Sequence, residues 1–237
     1  MNKDLKEAKL FLNDFFLNMS SFKSTNLNLL LAPSFPLINE MKNIVSSKYI
    51  SYSLNFCAQN CSHNKQGAFT GEVSAHMLSS IGVSSVIIGH SERRNFFSES
   101  NDILLEKVNR CVENNLLPIF CFGETIKERN QGNFLEVIEN QISLLNPYAK
   151  KQNFILAYEP IWAIGSGKTP SINEIEEVHL FVKNKFPNIK ILYGGSLNSR
   201  NADEILKINH VDGGLIGGAS LDPFEFISII KTAHEIR

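Results

Sequence analysis

Two acid–base side chains stand at the ends of apolar runs of strand length, far apart in the sequence. Glu159 follows Phe154–Tyr158, and His90 follows Ser85–Gly89. A carboxylate at a strand end is partly desolvated, which raises its pKa and suits a general base near neutral pH. Polar residues after His90 predict a helix start, where a neutral imidazole is favoured and can donate a hydrogen bond to a carbonyl. The alternatives are a glutamate that only caps or pairs, and a histidine satisfied by backbone.

Glycine-rich segments in the C-terminal half indicate a lid and a phosphate site. Between Pro160 and Pro170, rigid ends enclose a glycine-rich middle, which is typical of a loop that closes as one body and excludes water. Gly194–Ser196 and Gly217–Gly218 follow apolar runs, and their backbone N–H groups are bare enough to bind a phosphate dianion. A nucleotide-triphosphate loop is rejected, because its first required glycine would fall at Trp162. Glycine pairs that form only turns remain the alternative.

A long loop without much charge covers residues 59–72. Long structured loops in compact domains are usually functional. The tip carries Phe69 and Thr70, which indicates a contact with another subunit, and a plain surface loop is the alternative. Cys57 and Cys61 have no second Cys/His pair to complete a tetrahedral zinc site, so no metal is predicted there.

Seven apolar, β-branched runs predict the strands of a parallel sheet. They are Leu27–Leu31, Leu54–Ala58, Ser85–Gly89, Leu117–Phe122, Phe154–Tyr158, Ile189–Tyr193 and Gly214–Ile216. Eight helical patterns alternate with them, because an apolar stripe through Asp4–Met19 predicts a helix before the first strand. Each helix of a (β/α)8 TIM barrel follows a strand, so this count predicts an α/β fold of that type without its first β-strand. A seven-stranded open sheet with an ordinary N-terminal helix is the alternative.

The composition fits one globular domain over residues 1–237. A formal net charge of -1 gives no reason to expect nucleic acid or an anionic membrane as a partner. No apolar stretch reaches the roughly 18 residues of a membrane span, and the N-terminus opens no signal peptide. Four cysteines are too few and too irregularly spaced for a disulfide framework, so we expect a cytoplasmic enzyme with reduced thiols.

Six motifs together resemble the triosephosphate isomerase family over essentially the whole chain. They are Ala58–Asn60, Gly67–Glu72, Gly89–Arg94, Tyr158–Gly165, Tyr193–Ser196 and Gly213–Ser220. The resemblance implies a TIM barrel that interconverts dihydroxyacetone phosphate and D-glyceraldehyde 3-phosphate in glycolysis and gluconeogenesis. It also implies a homodimer that needs no cofactor and no metal.

The same resemblance implies roles for individual residues. In the family, a glutamate moves the proton between adjacent carbons and a neutral histidine polarises the carbonyl, which implies these roles for Glu159 and His90. The residues implied to bind the phosphate are Gly165, Ser196, Gly217 and Gly218, and those implied to support the site are Ser91, Glu92 and Cys121. The resemblance also implies a dimer loop with Phe69, Thr70 and Glu72, in which Glu72 pairs with Arg93 across the interface.

Two positions depart from the family pattern. The family carries Asn-x-Lys at the end of its first strand, whereas Met1-Asn2-Lys3 begins where that motif should just have ended. We therefore expect that Lys3 is not the catalytic lysine, that the native protein is longer, and that this chain has low activity for want of a fixed cation beside the substrate. Pro170 stands where the trailing hinge of the lid usually has alanine, and its fixed φ would stiffen opening.

Two other functions stay open at this point. One is a catalytically impaired remnant that keeps only a binding or structural role. The other is a different phosphosugar barrel enzyme, such as an epimerase. Such an enzyme would need a second carboxylate or metal ligands at strand ends, and we identify none in the sequence.

Overall fold

Seven parallel strands form one sheet in which each strand pairs with the next in sequence order. A computed structural model describes residues 1–151, 153–164 and 169–236. The strands are β1 (Lys23–Leu31), β2 (Ser51–Ala58), β3 (Ser85–Ile88), β4 (Leu117–Phe122), β5 (Ile155–Tyr158), β6 (Ile191–Tyr193) and β7 (Gly213–Gly214). Within those ranges, no strand precedes the first helix.

In the described part of the chain, helices occupy eight positions, one before β1 and one after each strand. They are α1 (Leu5–Met19), α2 (Phe35–Ser46), α3 (Ala75–Ser80), α4 (Ser91–Phe96), α5 (Asn101–Glu113), α6 (Ile126–Gln131), α7 (Phe134–Ile142), α8 (Ile172–Lys185), α9 (Ala202–Leu206) and α10 (Pro223–Ile236). The connections after β3 and β4 each hold two of them, and 3-10 turns cover Ser143–Lys151, Ile161–Ala163 and Gly218–Leu221. None of the helices in the described part combines the length and apolarity that crossing a bilayer requires.

Side chains from both ends of the sheet meet in one interior cluster. Cys57 of β2, Ile87 of β3 and Ala157 of β5 belong to it, and Leu30 of β1 and Leu215 just after β7 pack against it. Because the first and last strands contribute to the same interior, the sheet is curled into an incomplete barrel, in which β1 and β7 do not pair with each other in the described part of the chain. The predicted seven-stranded TIM barrel is therefore confirmed.

The first and last helices pack on each other outside this sheet. Phe15 of α1 is fully buried, stacks on Phe226 of α10 with ring centroids 6.1 Å apart, and meets Tyr52 of β2 edge-on at 6.5 Å. α1 begins with a capping box in which Asp4 and Glu7 exchange hydrogen bonds with each other's backbone N–H. The predicted N-terminal helix is thus present and closes the outer layer.

The predicted strand bounds agree best where the apolar run is long. β4 covers the predicted residues, whereas β1 begins at Lys23, before the predicted start at Leu27. The additional residues are mostly polar, so that hydrophobicity gives no signal for them. Their pairing with β2 has an irregularity between Lys23 and Asn28. β7 is limited to Gly213–Gly214.

Candidate active site

The ends of β3 and β5 bring His90 and Glu159 together. His90 comes two residues after Ile88 at the end of β3, and Glu159 directly follows β5, with β4 between the two strands. His90 Nε2 lies 3.2 Å from Glu159 Oε1. The Glu159 side chain is 2% exposed and the His90 side chain 27%, so that the imidazole is the more open of the two groups.

The Glu159 carboxylate is desolvated, with one oxygen held and the other available. Burial raises the pKa of Glu159, while His90, the Ser91 N–H, the Cys121 thiol and the Arg94 guanidinium lower it. The Ser91 N–H donates to Oε2 at 2.9 Å. Oε1 has no aligned hydrogen bond among the described residues, because its contact with His90 is close but poorly directed. Oε1 is therefore the oxygen that can accept a proton.

His90 is the N-cap of α4, and this fixes where its proton lies. Its Nδ1 accepts a hydrogen bond from the Glu92 N–H at 3.2 Å. A ring nitrogen that accepts carries no proton, so the neutral imidazole has its N–H at Nε2, the nitrogen that faces Glu159. The Glu92 side chain is 69% exposed. The hydrogen bond that Glu92 gives to His90 thus comes from its backbone.

Arg94 ties the strand ends on either side of the site, and sequence reasoning did not single it out. Its Nε donates to Gly89 O at 2.9 Å, and its Nη2 donates to Cys121 O at 3.1 Å. Nη1 donates to Asn101 Oδ1 at 3.0 Å. The guanidinium thus joins the residue before His90 to β4. The paired arginines after the histidine were the available signal, but sequence alone does not show which of them turns inward.

Two glycines let neighbouring strands pass close to Glu159. A Cβ on Gly123 would lie 1.8 Å from the Glu159 carbonyl oxygen, and one on Gly194 would lie 3.0 Å from its Cγ. Any side chain at Gly123 would therefore displace the backbone that carries the carboxylate. The close packing of the ends of β4, β5 and β6 holds Glu159 in place.

A second buried carboxylate, Glu124, anchors the start of the predicted lid. Glu124 is fully buried, and its Oε1 accepts from Arg129 Nε at 2.7 Å, Tyr158 OH at 3.0 Å and Trp162 Nε1 at 3.1 Å. The sequence reasoning found no second carboxylate at a strand end, and that was wrong, since Glu124 follows β4 as Glu159 follows β5. Three donors, one of them charged, engage Oε1, so Glu124 holds the start of the lid segment, while its Oε2 has no hydrogen-bond partner among the described residues.

The predicted phosphate-binding residues follow two neighbouring strands. Ser196 comes after β6, and its Oγ donates to Ala163 O at 2.7 Å, which joins this turn to the start of the lid. Gly217 and Gly218 come after β7, which pairs with β6. Both are exposed, and a Cβ on either would meet no atom within 4 Å, so open space lies beside them. Gly165 lies outside the described residues.

The N-terminal lysine does not lie with these groups. Lys3 Nζ sits 5.2 Å from the centroid of the Phe11 ring, on α1. Among the described residues whose charge acts on Glu159, Arg94 is the permanent cation. Pro170 is buried just before Ser171, the N-cap of α8.

The predicted dimer loop is exposed at its tip. Phe69 is 47% exposed, and Thr70 and Glu72 are exposed as well. The Glu72 N–H donates to Phe69 O at 3.0 Å, which closes a tight turn. Arg93 Nε donates to Glu99 Oε1 at 2.6 Å within the chain. Within one copy of the chain, Arg93 therefore pairs with Glu99 and not with Glu72.

No group of three or more His, Cys, Asp or Glu side chains in the described ranges is arranged to hold a metal ion. The four cysteines are buried, and none of them forms a disulfide in the described structure. Burial raises the pKa of Cys57 to about 12, so that this thiol stays protonated at neutral pH.

Comparisons with known proteins point to one family. The triosephosphate isomerase family model matches residues 1–233. A triosephosphate isomerase of Thermodesulfovibrio yellowstonii is 38% identical over 240 aligned residues, covering 98% of this chain and 95% of the relative. One of Mesomycoplasma hyopneumoniae is 40% identical, with coverage of 97% and 95%. The crystal structure of triosephosphate isomerase from Bartonella henselae superposes with a TM-score of 0.84 at 32% identity, covering 98% of this chain and 94% of that one.

Proposed function

Because the chain belongs to the triosephosphate isomerase family, we propose that it interconverts dihydroxyacetone phosphate and D-glyceraldehyde 3-phosphate, as in glycolysis and gluconeogenesis. The observation that carries this proposal is the pairing of Glu159 with His90. A desolvated carboxylate oxygen lies 3.2 Å from the ring nitrogen that carries the imidazole proton. One group of this pair can move a proton between carbons while the other moves a proton between oxygens.

The reaction follows from these two atoms. Glu159 Oε1 removes a proton from C1 of dihydroxyacetone phosphate, and the electron pair forms a C1–C2 double bond while His90 Nε2–H donates to the C2 oxygen. The ring then recovers a proton from the C1 hydroxyl, and Glu159 returns its proton to C2, which leaves the aldehyde. Since burial raises the pKa of Glu159, the carboxylate is a stronger base than an exposed glutamate.

The turns after β6 and β7 are the proposed phosphate site. Backbone N–H groups of Gly217 and Gly218, with the hydroxyl of Ser196 and the N–H of Gly165, would bind the dianion as the lid closes. The open space beside Gly217 and Gly218 supports this assignment. The Glu124–Trp162 hydrogen bond, at 3.1 Å, would hold the leading end of the lid as it moves.

We propose low activity for the chain as given. A fixed cation near the substrate oxygens would stabilise the charge that develops in the enediolate. Lys3 lies over Phe11, and Arg94 uses its donors on Gly89, Cys121 and Asn101. A catalytically impaired protein that only binds triose phosphate is the second candidate, and the placement of Lys3 is the observation that favours it.

A homodimer in the cytoplasm completes the proposal. The exposed aromatic side chains of Phe69 on the loop and of Phe96 and Phe97 at the end of α4 are 47%, 79% and 63% accessible, which leaves apolar surface for a second copy. Glu72 of one copy would pair with Arg93 of the other. The four unbonded cysteines agree with a reducing compartment.

A coupled dehydrogenase assay tests the activity on the full chain and on its Glu159→Gln variant. We expect slow isomerisation by the chain, none above background by the variant, and an increase for the chain alone when methylammonium supplies a cation. Equal rates for the two proteins would refute the assignment of Glu159. High activity that added cation does not change would refute the proposed impairment, and binding of phosphate without turnover would favour the second candidate.

A further inference from the structure

Two buried thiols from different parts of the chain face each other away from Glu159 and His90. Cys61 lies in the loop after β2, and Cys111 lies in the last turn of α5. Their sulfur atoms are 3.7 Å apart and share a hydrogen bond. Their exposures are 1% and 0%, and neither sulfur is in a disulfide.

The chain beside Cys61 is already fastened to α5 one helical turn away. Lys107 Nζ donates to Asn60 Oδ1 at 2.7 Å. Lys107 and Cys111 are four residues apart, so they lie on one face of α5. The Ser62 N–H donates to Val73 O at 2.8 Å and closes the base of residues 62–73, here called the protruding loop. Residues 60 and 61 therefore dock together on α5 at the root of that loop.

We propose that Cys61 and Cys111 are a modification site, at which a peroxide forms an intramolecular disulfide that joins the root of the protruding loop to α5. This inference does not rest on the proposed isomerase activity, since neither sulfur belongs to the site at the strand ends.

The other two thiols are placed differently. Cys57 and Cys121 belong to the cluster inside the barrel. Cys57 Sγ lies 3.4 Å from Ala58 O, as a donor to that carbonyl, and the Cys121 thiol acts on Glu159. The sulfur–sulfur contact in the described structure joins Cys61 to Cys111. Oxidation should therefore select this pair.

The geometry needs a small movement. A disulfide has its sulfur atoms about 2.0 Å apart, so the two must approach by roughly 1.7 Å. Cys111 lies in a helix and Cys61 lies in a loop, so rotation of the Cys61 side chain together with a small shift of its backbone is the movement that bond formation needs.

The chemistry balances with one peroxide per bond. One cysteine loses its thiol proton, its thiolate attacks a peroxide oxygen, and the O–O bond breaks to give a sulfenic acid and hydroxide, which takes up that proton to become the first water. The second thiol then attacks the sulfenic sulfur, its proton leaves with the hydroxyl as a second water, and the S–S bond forms. Two sulfur atoms together lose two electrons, and the two peroxide oxygens gain them.

The surroundings make this oxidation slow in the closed protein. The hydrogen bond with Cys61, followed by burial, raises the pKa of Cys111. The reactive thiolate is therefore scarce at neutral pH, and the rate should increase as the pH rises. Opening of the protruding loop admits the peroxide, so conditions that loosen the loop without unfolding the barrel should speed the reaction.

Mass spectrometry of the folded chain after hydrogen peroxide treatment tests the proposal. The remaining thiols are alkylated and the intact mass is measured. Trypsin leaves Cys57 with Cys61 in one peptide and Cys111 with Cys121 in another, so fragmentation of the linked peptides, with the alkyl groups expected on Cys57 and Cys121, locates the bond. We expect a mass lower by two hydrogen atoms with two cysteines left for alkylation, a linked peptide containing Cys61 and Cys111, and recovery with dithiothreitol. Hydrogen exchange across residues 62–73 should slow, and thermal unfolding should move to higher temperature in the oxidised form.

Matched variants separate this pair from general thiol oxidation. Cys57→Ser, at a neighbouring buried thiol, should still form the bond, whereas Cys61→Ser should not. The wild-type peptide map decides the outcome even if a variant folds poorly. The proposal fails if fragmentation of the linked peptides places the bond at Cys57 or Cys121, if oxidation stops at sulfinic acid, or if linkage appears only in urea.

Discussion

Replacing Arg94 should change both the stability of the barrel and the pKa of Glu159. In Arg94→Met the carbonyl oxygens of Gly89 and Cys121 lose their charged donor, and both residues are buried. A buried acceptor left without a partner costs about 1–3 kcal/mol, so the two together should lower the free energy of unfolding by about 4 kcal/mol. Asn101 adds little to this loss, because it is exposed and can bond to water.

The electrostatic effect has a definite sign. The Arg94 charge lowers the pKa of Glu159, so removing it should raise that pKa further. Arg94→Lys keeps the charge but cannot reach both carbonyls in the same way. In this variant the pKa of Glu159 should therefore return much of the way to the wild-type value, whereas the free energy of unfolding should recover less. Urea unfolding measures the first quantity. The carboxyl ¹³C signal of Glu159 during a pH titration, assigned by its absence in Glu159→Gln, measures the second.

Arg93→Met is the matched control. Arg93 is the preceding residue on α4, but its guanidinium contacts Glu99 and the Phe97 ring. The Arg93→Met variant should be less stable than the wild type, but the pKa of Glu159 should stay the same. If Arg94→Met left that pKa unchanged, or if Arg93→Met raised it equally, then Arg94 would be no more than a structural brace and the reasoning would be refuted.

Three further changes test other contacts. Glu159→Gln should stabilise the protein more at neutral pH than at acid pH. Burial raises the pKa of the Glu159 carboxyl in the folded state, so the wild type loses stability as the pH rises through that pKa. A difference in unfolding free energy between variant and wild type that shrank from pH 4 to pH 8 in urea would contradict this. Gly123→Ala should lower the free energy of unfolding by about 1–3 kcal/mol or more, since its methyl would lie 1.8 Å from the Glu159 carbonyl oxygen. In calorimetry the control Gly217→Ala should show little loss of stability, because its methyl would meet no atom within 4 Å. Phe15→Ala should cost about 3–5 kcal/mol, and an unchanged melting temperature would show that α1 does not depend on its stack with Phe226.

The sequence predicts the strand-end chemistry well because topology does most of the positioning. Once the apolar runs before His90 and Glu159 are taken as parallel strands, both side chains must emerge at the same edge of the sheet. A 3.2 Å contact between them then needs little beyond a short separation of strands. The run Leu117–Phe122 is equally informative, since its buried apolar residues fill β4 from end to end.

The parts that could not be predicted depend on side-chain direction and on register. Arg93 and Arg94 are adjacent and chemically identical, yet one pairs with Glu99 and the other spans two strand ends. Glu124 is at a strand end like Glu159, but its three donors come from residues that the fold brings together. The first half of β1 is invisible to hydrophobicity, because backbone pairing rather than burial makes it a strand.

The cap at the start of α4 limits which nitrogen of His90 can exchange a proton. Its Nδ1 cannot take up a proton without releasing the Glu92 N–H and loosening the first turn of the helix. Proton exchange is thereby confined to Nε2. In the proposed isomerisation this one nitrogen would both donate a proton to the C2 oxygen and recover one from the C1 hydroxyl, so that the ring need not turn between the two steps.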